Sequence, residues 1–311
     1  MKRTNLLIAM LVLCASTPAQ QNPQRPRIFG IEGVTIYVSD AHKSRTFYAA
    51  LLDQDPHPKH VKRRFSSDEQ PPEFSLNISP NRFQFIGLEP AHSPAPSNLI
   101  AEVTFSTDNV AALRSYLLAN LTDTRSLTGP GMKYLSLADP EGHKISFLET
   151  DGVLKDPKII AILTKGGYEN EIIHAAFIVH DRAATEHFYK DILGFRPYWH
   201  GGMKDDQTDW VSMQVPDGTD WLEFMVNVEP DADQRLRGIM NHIAIGTTDI
   251  HATQKKLIDK GVKLTEQPKI GRDGKWQLNL YDPDGTRIEF MEFKPAQQPC
   301  CHPYTAPHPK P

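Results

Sequence analysis

Residues 241–262 read NHIAIGTTDIHATQKKLIDKGV. A short apolar stretch ends at Asp249, a residue type suited to cap a helix, and helical periodicity follows it. The same signature recurs as TFSTDNVAALRSYLLANL (104–121), TIYVSDAHKSRTFYAALL (35–52) and AFIVHDRAATEHFYKDILGF (176–195). Asp40 and Asp181 stand 141 residues apart, as do Asp108 and Asp249, and within each half the spacing is 68. A period shared by four segments marks a duplication of a duplication.

Each unit continues alike. Apolar or alternating stretches follow the helix, broken by turn residues. The even units end on ADPEG (138–142) and YDPDG (281–285), tight-turn signatures, and then on the alternating strands HKISFLE and TRIEFME. The pattern predicts an α+β fold of four βαβββ units. Such a unit leaves one sheet face bare, so two units pair into a curved half-barrel with a cleft. The expected domains are 31–150 and 172–294, joined by a linker (151–171) with a short helix near Lys158 to Leu163.

The ends read differently. MKRTNLLIAMLVLCASTPAQQ has a basic start, an apolar run from Leu6 to Leu13, and small residues before Ala19. That is a secretory signal (1–19), which predicts a secreted or periplasmic protein without a membrane span. The net charge of −4 comes without a basic block, which argues against nucleic acid as a partner. Cys300 and Cys301 sit in the tail PAQQPCCHPYTAPHPKP (295–311), where composition predicts disorder and no partner for a disulfide between the domains.

Strand alternation turns Ile243 and Ile245 toward the helices and His242, Ala244 and Gly246 into the cleft. Seven residues before Asp181 stands His174, as His242 stands seven before Asp249. On the last strands of the two units, Glu223 and Glu289 lie opposite the apolar faces. A carboxylate buried in mid-strand is costly without a partner. Pseudo-twofold symmetry would gather all four at the cleft floor, and two imidazoles with two carboxylates suit a divalent transition metal. Counted from the same landmarks, the first domain has Gly33, Gln84, Ala101 and Ser146, none a good ligand. Its Glu32 and Glu102 fall one residue off, on the opposite face.

These repeats, the DPDG-plus-strand ending and the His–Glu–His–Glu set resemble the vicinal-oxygen-chelate superfamily, over nearly all of 31–294. The ligand set is most similar to that of glyoxalase I. The resemblance implies His174, Glu223, His242 and Glu289 as ligands of Zn, Ni, Co or Mn. It implies a small-molecule substrate with adjacent oxygens, turned over through a metal-stabilised enediolate by lyase or isomerase chemistry. Glu289 is then the base, with Glu223 as its mirror alternative. Asn227 matches a residue that contacts the glutathione part of the substrate, and Tyr281 is a further substrate-binding candidate. The family's glutathione-binding arginine is replaced by Ile178, and an exported protein meets little glutathione, so the chemistry carries over more readily than the substrate. Such a protein is expected as a monomer or homodimer.

Two rival readings remain. His174, His242 and Glu289 alone make a facial triad for Fe(II), as in extradiol dioxygenases, which pair an inactive first domain with an active second one. Against this, Glu223 fills a position those enzymes leave unliganded, and DGKWQLNLYDPDG lacks their His-and-Tyr motif. The other rival is a protein that sequesters a small molecule without turnover, in a pocket of Trp199, His200, Trp210, Trp221 and Tyr281. An intact ligand set argues against it.

Overall fold

The computed structural model describes residues 23–52, 74–77, 84–91, 98–129, 133–150 and 171–311. The signal segment and the linker helix lie outside them. The fold is α+β with two mixed sheets. The first contains β1 (Ile28–Val38), β2 (Phe74–Asn77), β3 (Phe85–Pro90), β4 (Ile100–Thr107), β5 (Tyr134–Ala138) and β6 (Lys144–Glu149), in the order β2-β3-β1-β4-β6-β5. The second is a curled half-barrel. It contains β7 (Glu171–Ile178), β8 (Arg196–Gly201), β9 (Trp210–Gln214), β10 (Trp221–Met225), β11 (His242–Thr247), β12 (Lys269–Ile270), β13 (Trp276–Tyr281) and β14 (Arg287–Glu292). Its order is β12-β13-β14-β11-β7-β10-β9-β8. In both sheets the two first strands of the paired units lie antiparallel at the centre, each flanked by the parallel last strand of its own unit.

The helices are α1 (Ala41–Leu51), α2 (Val110–Asn120), α3 (Arg182–Glu186, continued by a π-helical turn at His187–Ile192), α4 (Gln234–Met240) and α5 (Ile250–Asp259). Asp40, Asp181 and Asp249 cap α1, α3 and α5 by accepting from free first-turn amides. The cap of α2 is Asn109, whose Oδ1 accepts from Ala112 N at 2.8 Å, while Asp108 accepts from Arg27 N. The repeat therefore slips by one residue at this helix. Among the described residues no helix is long and apolar enough to cross a membrane.

One apolar core runs through both domains. Two matching bonds cross between them. Tyr48 of α1 donates to Asp282 at 3.0 Å, and Tyr189 of α3 donates to Asp139 at 3.1 Å. Each joins the Phe-Tyr helix of one half to the Asp-Pro turn of the other. Gln84 ties the centres together: its amide donates to Ile31 O and Ile172 O, and its Oε1 accepts from Ile172 N.

The tail does not behave as its composition predicts. Residues 296–308 lie against the second half-barrel. Ala296 N bonds Gly274 O, Cys300 N bonds Arg272 O, and Thr305 N bonds Tyr198 O. Tyr304 packs on Tyr198 and Trp199, and its hydroxyl donates to Asp273. The aromatic residues among the prolines bury enough surface to order the segment. Cys300 and Cys301 pair with each other as a vicinal disulfide.

Candidate metal centre

Ile243 and Ile245 enter the main core, as alternation predicts, while Ala244 faces the inner surface with Trp221, Met291 and Phe293. The Phe293 ring lies where a side chain on Gly246 would stand, so the space beside His242 is filled from β14's end. The pairing of β7 with β10 and of β11 with β14 brings the four candidates to one place. His174 Nε2 and His242 Nε2 are 3.1 Å apart. Glu223 Oε2 lies 4.0 and 3.5 Å from them, and Glu289 Oε2 lies 3.6 and 3.8 Å. His174, Glu223 and His242 form a group that could hold a metal ion, and Glu289 approaches both imidazoles as closely.

This donor set fits a divalent cation. Bonds of roughly 2.0–2.2 Å place neighbouring ligand atoms about 3.0–3.5 Å apart, close to the spacings found. Both imidazoles are completely buried, and burial holds their pKa values well below 6.5, so they are neutral donors. His242 Nδ1 bonds Met240 O at 3.0 Å, which leaves Nε2 with its lone pair toward the centre. Two such lone pairs at 3.1 Å repel unless a cation or proton lies between them. The His174 ring is held by Trp221 at 4.7 Å between centroids, and its Nδ1 is buried without a partner. Burial pushes the Glu289 carboxyl up to about 7, while nearby Arg287 opposes the shift. Glu223 is more open, and its Oε1 accepts from Ser212 at 3.3 Å.

A cavity of about 630 Å³ opens above Glu223 and Glu289. Trp199, Trp210 and Trp221 line it, as the binding-pocket reading predicts, but His200 and Tyr281 are absent from its wall. His200 stacks on His302 at 3.7 Å, and Tyr281 donates to Glu266 at 2.7 Å. Asn227 also lies elsewhere: it is exposed, and its amide bonds Thr208 O and Asp209. Two features of the site escape sequence reasoning. The tail contributes Gln297 to Cys300 and Tyr304. Lys275, fully buried outside the lining itself, lies 4.4 Å over Trp221, which does line the cavity, and donates to Tyr198 Oη at 3.2 Å. Arg287, two residues before Glu289 and so on the same strand face, was legible by alternation alone.

The first domain corrects the landmark count. Gly33 pairs with Phe85 as His174 pairs with Trp221, so Gly87, not Gln84, matches Glu223. Glu102 pairs with Thr35 as His242 pairs with Ala176, so Glu102, not Ala101, matches His242. The cause is the slipped cap: Glu102 stands seven residues before Asn109, the cap of α2, as His242 stands seven before Asp249. Glu102 therefore lies on the inner face, where it accepts from Tyr134 at 2.7 Å, from Ser146, and from Lys144 at 2.7 Å. Among the described residues these groups satisfy one another, and no imidazole joins them.

Comparison with known proteins agrees with this geometry. Residues 171–290 match the model of the Glyoxalase/Bleomycin resistance protein/Dioxygenase superfamily. A lactoylglutathione lyase of Haemophilus influenzae is 29% identical over 126 residues, covering 40% of this chain and 93% of that protein. A probable lactoylglutathione lyase of Synechocystis is 27% identical over 135 residues, 39% of this chain and 94% of that protein. The whole chain has the fold of homoprotocatechuate 2,3-dioxygenase from Arthrobacter globiformis. The TM-score is 0.59 at 17% identity, covering 89% of this chain and 84% of the other. The substrate complex of the Brevibacterium fuscum enzyme with 3,4-dihydroxyphenylacetate gives a TM-score of 0.57 at 16% identity, covering 88% and 83%. The likeness to the glyoxalase/bleomycin resistance protein/dioxygenase superfamily is thus carried in sequence by the second domain, residues 171–290.

Proposed function

We propose that this protein is an exported metalloenzyme that moves a proton at the carbon beside a carbonyl, by lyase or isomerase chemistry. Its substrate is a small molecule with adjacent oxygens. The observation that carries the reading is the approach of Glu223, beside Glu289, to within 3.5 Å of His242. A divalent ion on this set supplies Lewis-acid stabilisation of negative charge developing on substrate oxygens. Glu289 takes the proton and returns it. Its burial disfavours the charged form and gives a carboxyl poised near neutrality, which suits a general base or acid. Glu223, which faces it across the two imidazoles, is the mirror candidate for the same role. The aromatic wall of the cavity excludes water from the floor and orients an apolar substrate body. Export is supported by the N-terminal sequence and by the paired cysteines, which persist in oxidising compartments.

Metal analysis of the purified protein and of Glu223→Ala tests the reading. It expects one Zn, Ni, Co or Mn per chain, lost or much weakened on substitution. Whole-chain likeness to an extradiol dioxygenase favours a second reading, with Fe(II) on His174, His242 and Glu289. Iron that survives Glu223→Ala, with oxygen uptake on catechols, would replace the first reading with the second.

A further inference from the structure

Arg287 occupies the same place in the second domain as Lys144 in the first. Each stands two residues after the glycine of the Asp-Pro turn. Each reaches across to the neighbouring central strand, Lys144 to Glu102 and Arg287 to His242. In the first domain the position reached is a carboxylate and the cation is neutralised. In the second it is an imidazole and not a carboxylate. Arg287 Nη2 lies 2.7 Å from both ring nitrogens of His242, a position over the ring face. Its Nε is buried without a partner, and among the described residues no carboxylate lies within ion-pair distance of it.

The rest of the cavity wall is balanced. Lys269 pairs with Glu266 at 2.9 Å, and Arg272 pairs with Asp205. Buried Asp273 and Lys275 attract each other. A divalent cation offsets Glu223 and Glu289. One positive charge is then left over, on a residue that lines the cavity and touches a metal-binding imidazole. A guanidinium in a confined, partly dry site binds carboxylates strongly and in a fixed orientation.

We propose, building on the cation reading above, that Arg287 binds an anionic group on the substrate, and that the group sits at the chelating end. The site then takes small carboxylates bearing an oxygen on the next carbon, that is 2-hydroxy or 2-oxo acids. An apolar body of aromatic size lies along Trp199 and Trp210, which stack at 6.4 Å.

Mandelate and its neutral isostere mandelamide serve as probes, read by tryptophan fluorescence and calorimetry on metal-loaded and chelator-treated protein. Wild-type protein should bind mandelate at least about tenfold more tightly than mandelamide. Arg287→Gln should remove that preference, weakening mandelate roughly tenfold to a hundredfold and leaving mandelamide unchanged. Arg287→Lys, which keeps the charge but loses the fork, should restore part of it. Equal binding of the two probes by wild type, no saturation by mandelate in the millimolar range, or an unaltered preference in Arg287→Gln each overturns the assignment. Metal content separates the two claims. If wild type takes up no stoichiometric metal, the cation reading falls, and the same loss of preference is required of Arg287→Gln in the metal-free protein. If Arg287→Gln keeps its metal and its preference, only the Arg287 assignment falls.

Discussion

In the first domain Lys144 on β6 meets Glu102 on β4, with Tyr134 and Ser146 completing the hydrogen bonds. In the second domain the same surface carries two imidazoles and two carboxylates that have almost no protein partners but one another. The backbone pairing is alike in both. What differs is whether the inner face satisfies its own charge. A self-satisfied face gains nothing from a cation, whereas an unsatisfied one is stable only when something compensates it. The duplication has thus left one copy self-satisfied and the other with a candidate site.

The comparison breaks most visibly at the imidazoles. Changing both His174 and His242 to Ala should weaken metal binding by roughly two to three orders of magnitude, judged by metal content after dialysis. Glu102→Ala, its first-domain counterpart, should leave metal content unchanged. Equal losses from both would mean that the domains do not divide the work as described.

A second contrast concerns packing. The Phe85 ring lies 2.3 Å from where a Cβ on Gly33 would stand, the position that matches His174. Gly33→Ala should therefore lower stability by about 1–3 kcal/mol, seen as a fall in melting temperature. A neutral effect would show that Phe85 yields easily and that the first domain is open to a grafted imidazole.

The third prediction uses pH. In the metal-free protein Glu289 holds its proton up to about 7, because burial outweighs Arg287, with Glu223 and Asp273 adding to the shift. A proton on Glu289 competes with the cation, so metal affinity should fall up to about tenfold between pH 7 and 6. Above pH 7 this group adds at most about twofold more. The imidazoles are already neutral in that window, because burial depresses their pKa values. Glu289→Gln should flatten the slope, and titration calorimetry across pH 6 to 8 would show whether it does.

The smallest effects sharpen the symmetry itself. Tyr48→Phe and Tyr189→Phe each remove one buried bond between the halves, and each should cost about 1 kcal/mol. Denaturant melts that gave sharply unequal losses would show that the two crossings are not equivalent.

Much of this was legible in the sequence. Fixed spacing exposed the repeats, and alternation placed Ile243 and Ile245 in the core and His242 opposite them. The four candidate positions followed from one count applied to both units, and the structure brings them together. The count failed at Glu102 because it ran from Asp108, whereas Asn109 caps α2 and serves as well as an aspartate, which moves the register by one. Asn227 was carried over by resemblance, but a left-handed backbone at φ 62° turns it toward Asp209. The tail was misjudged because proline content speaks for disorder, while its order comes from long-range contacts of Tyr304 and His308 with Tyr198.

That tail has a practical bearing. The match to the family model ends at residue 290, yet part of the cavity wall comes from 297–304. Evolution can retune what the chamber admits by editing its last few residues, leaving the chelating floor untouched. The same holds at the bench. Anything fused behind Pro311 hangs from that wall, so a tagged and an untagged preparation need not have the same ligand selectivity.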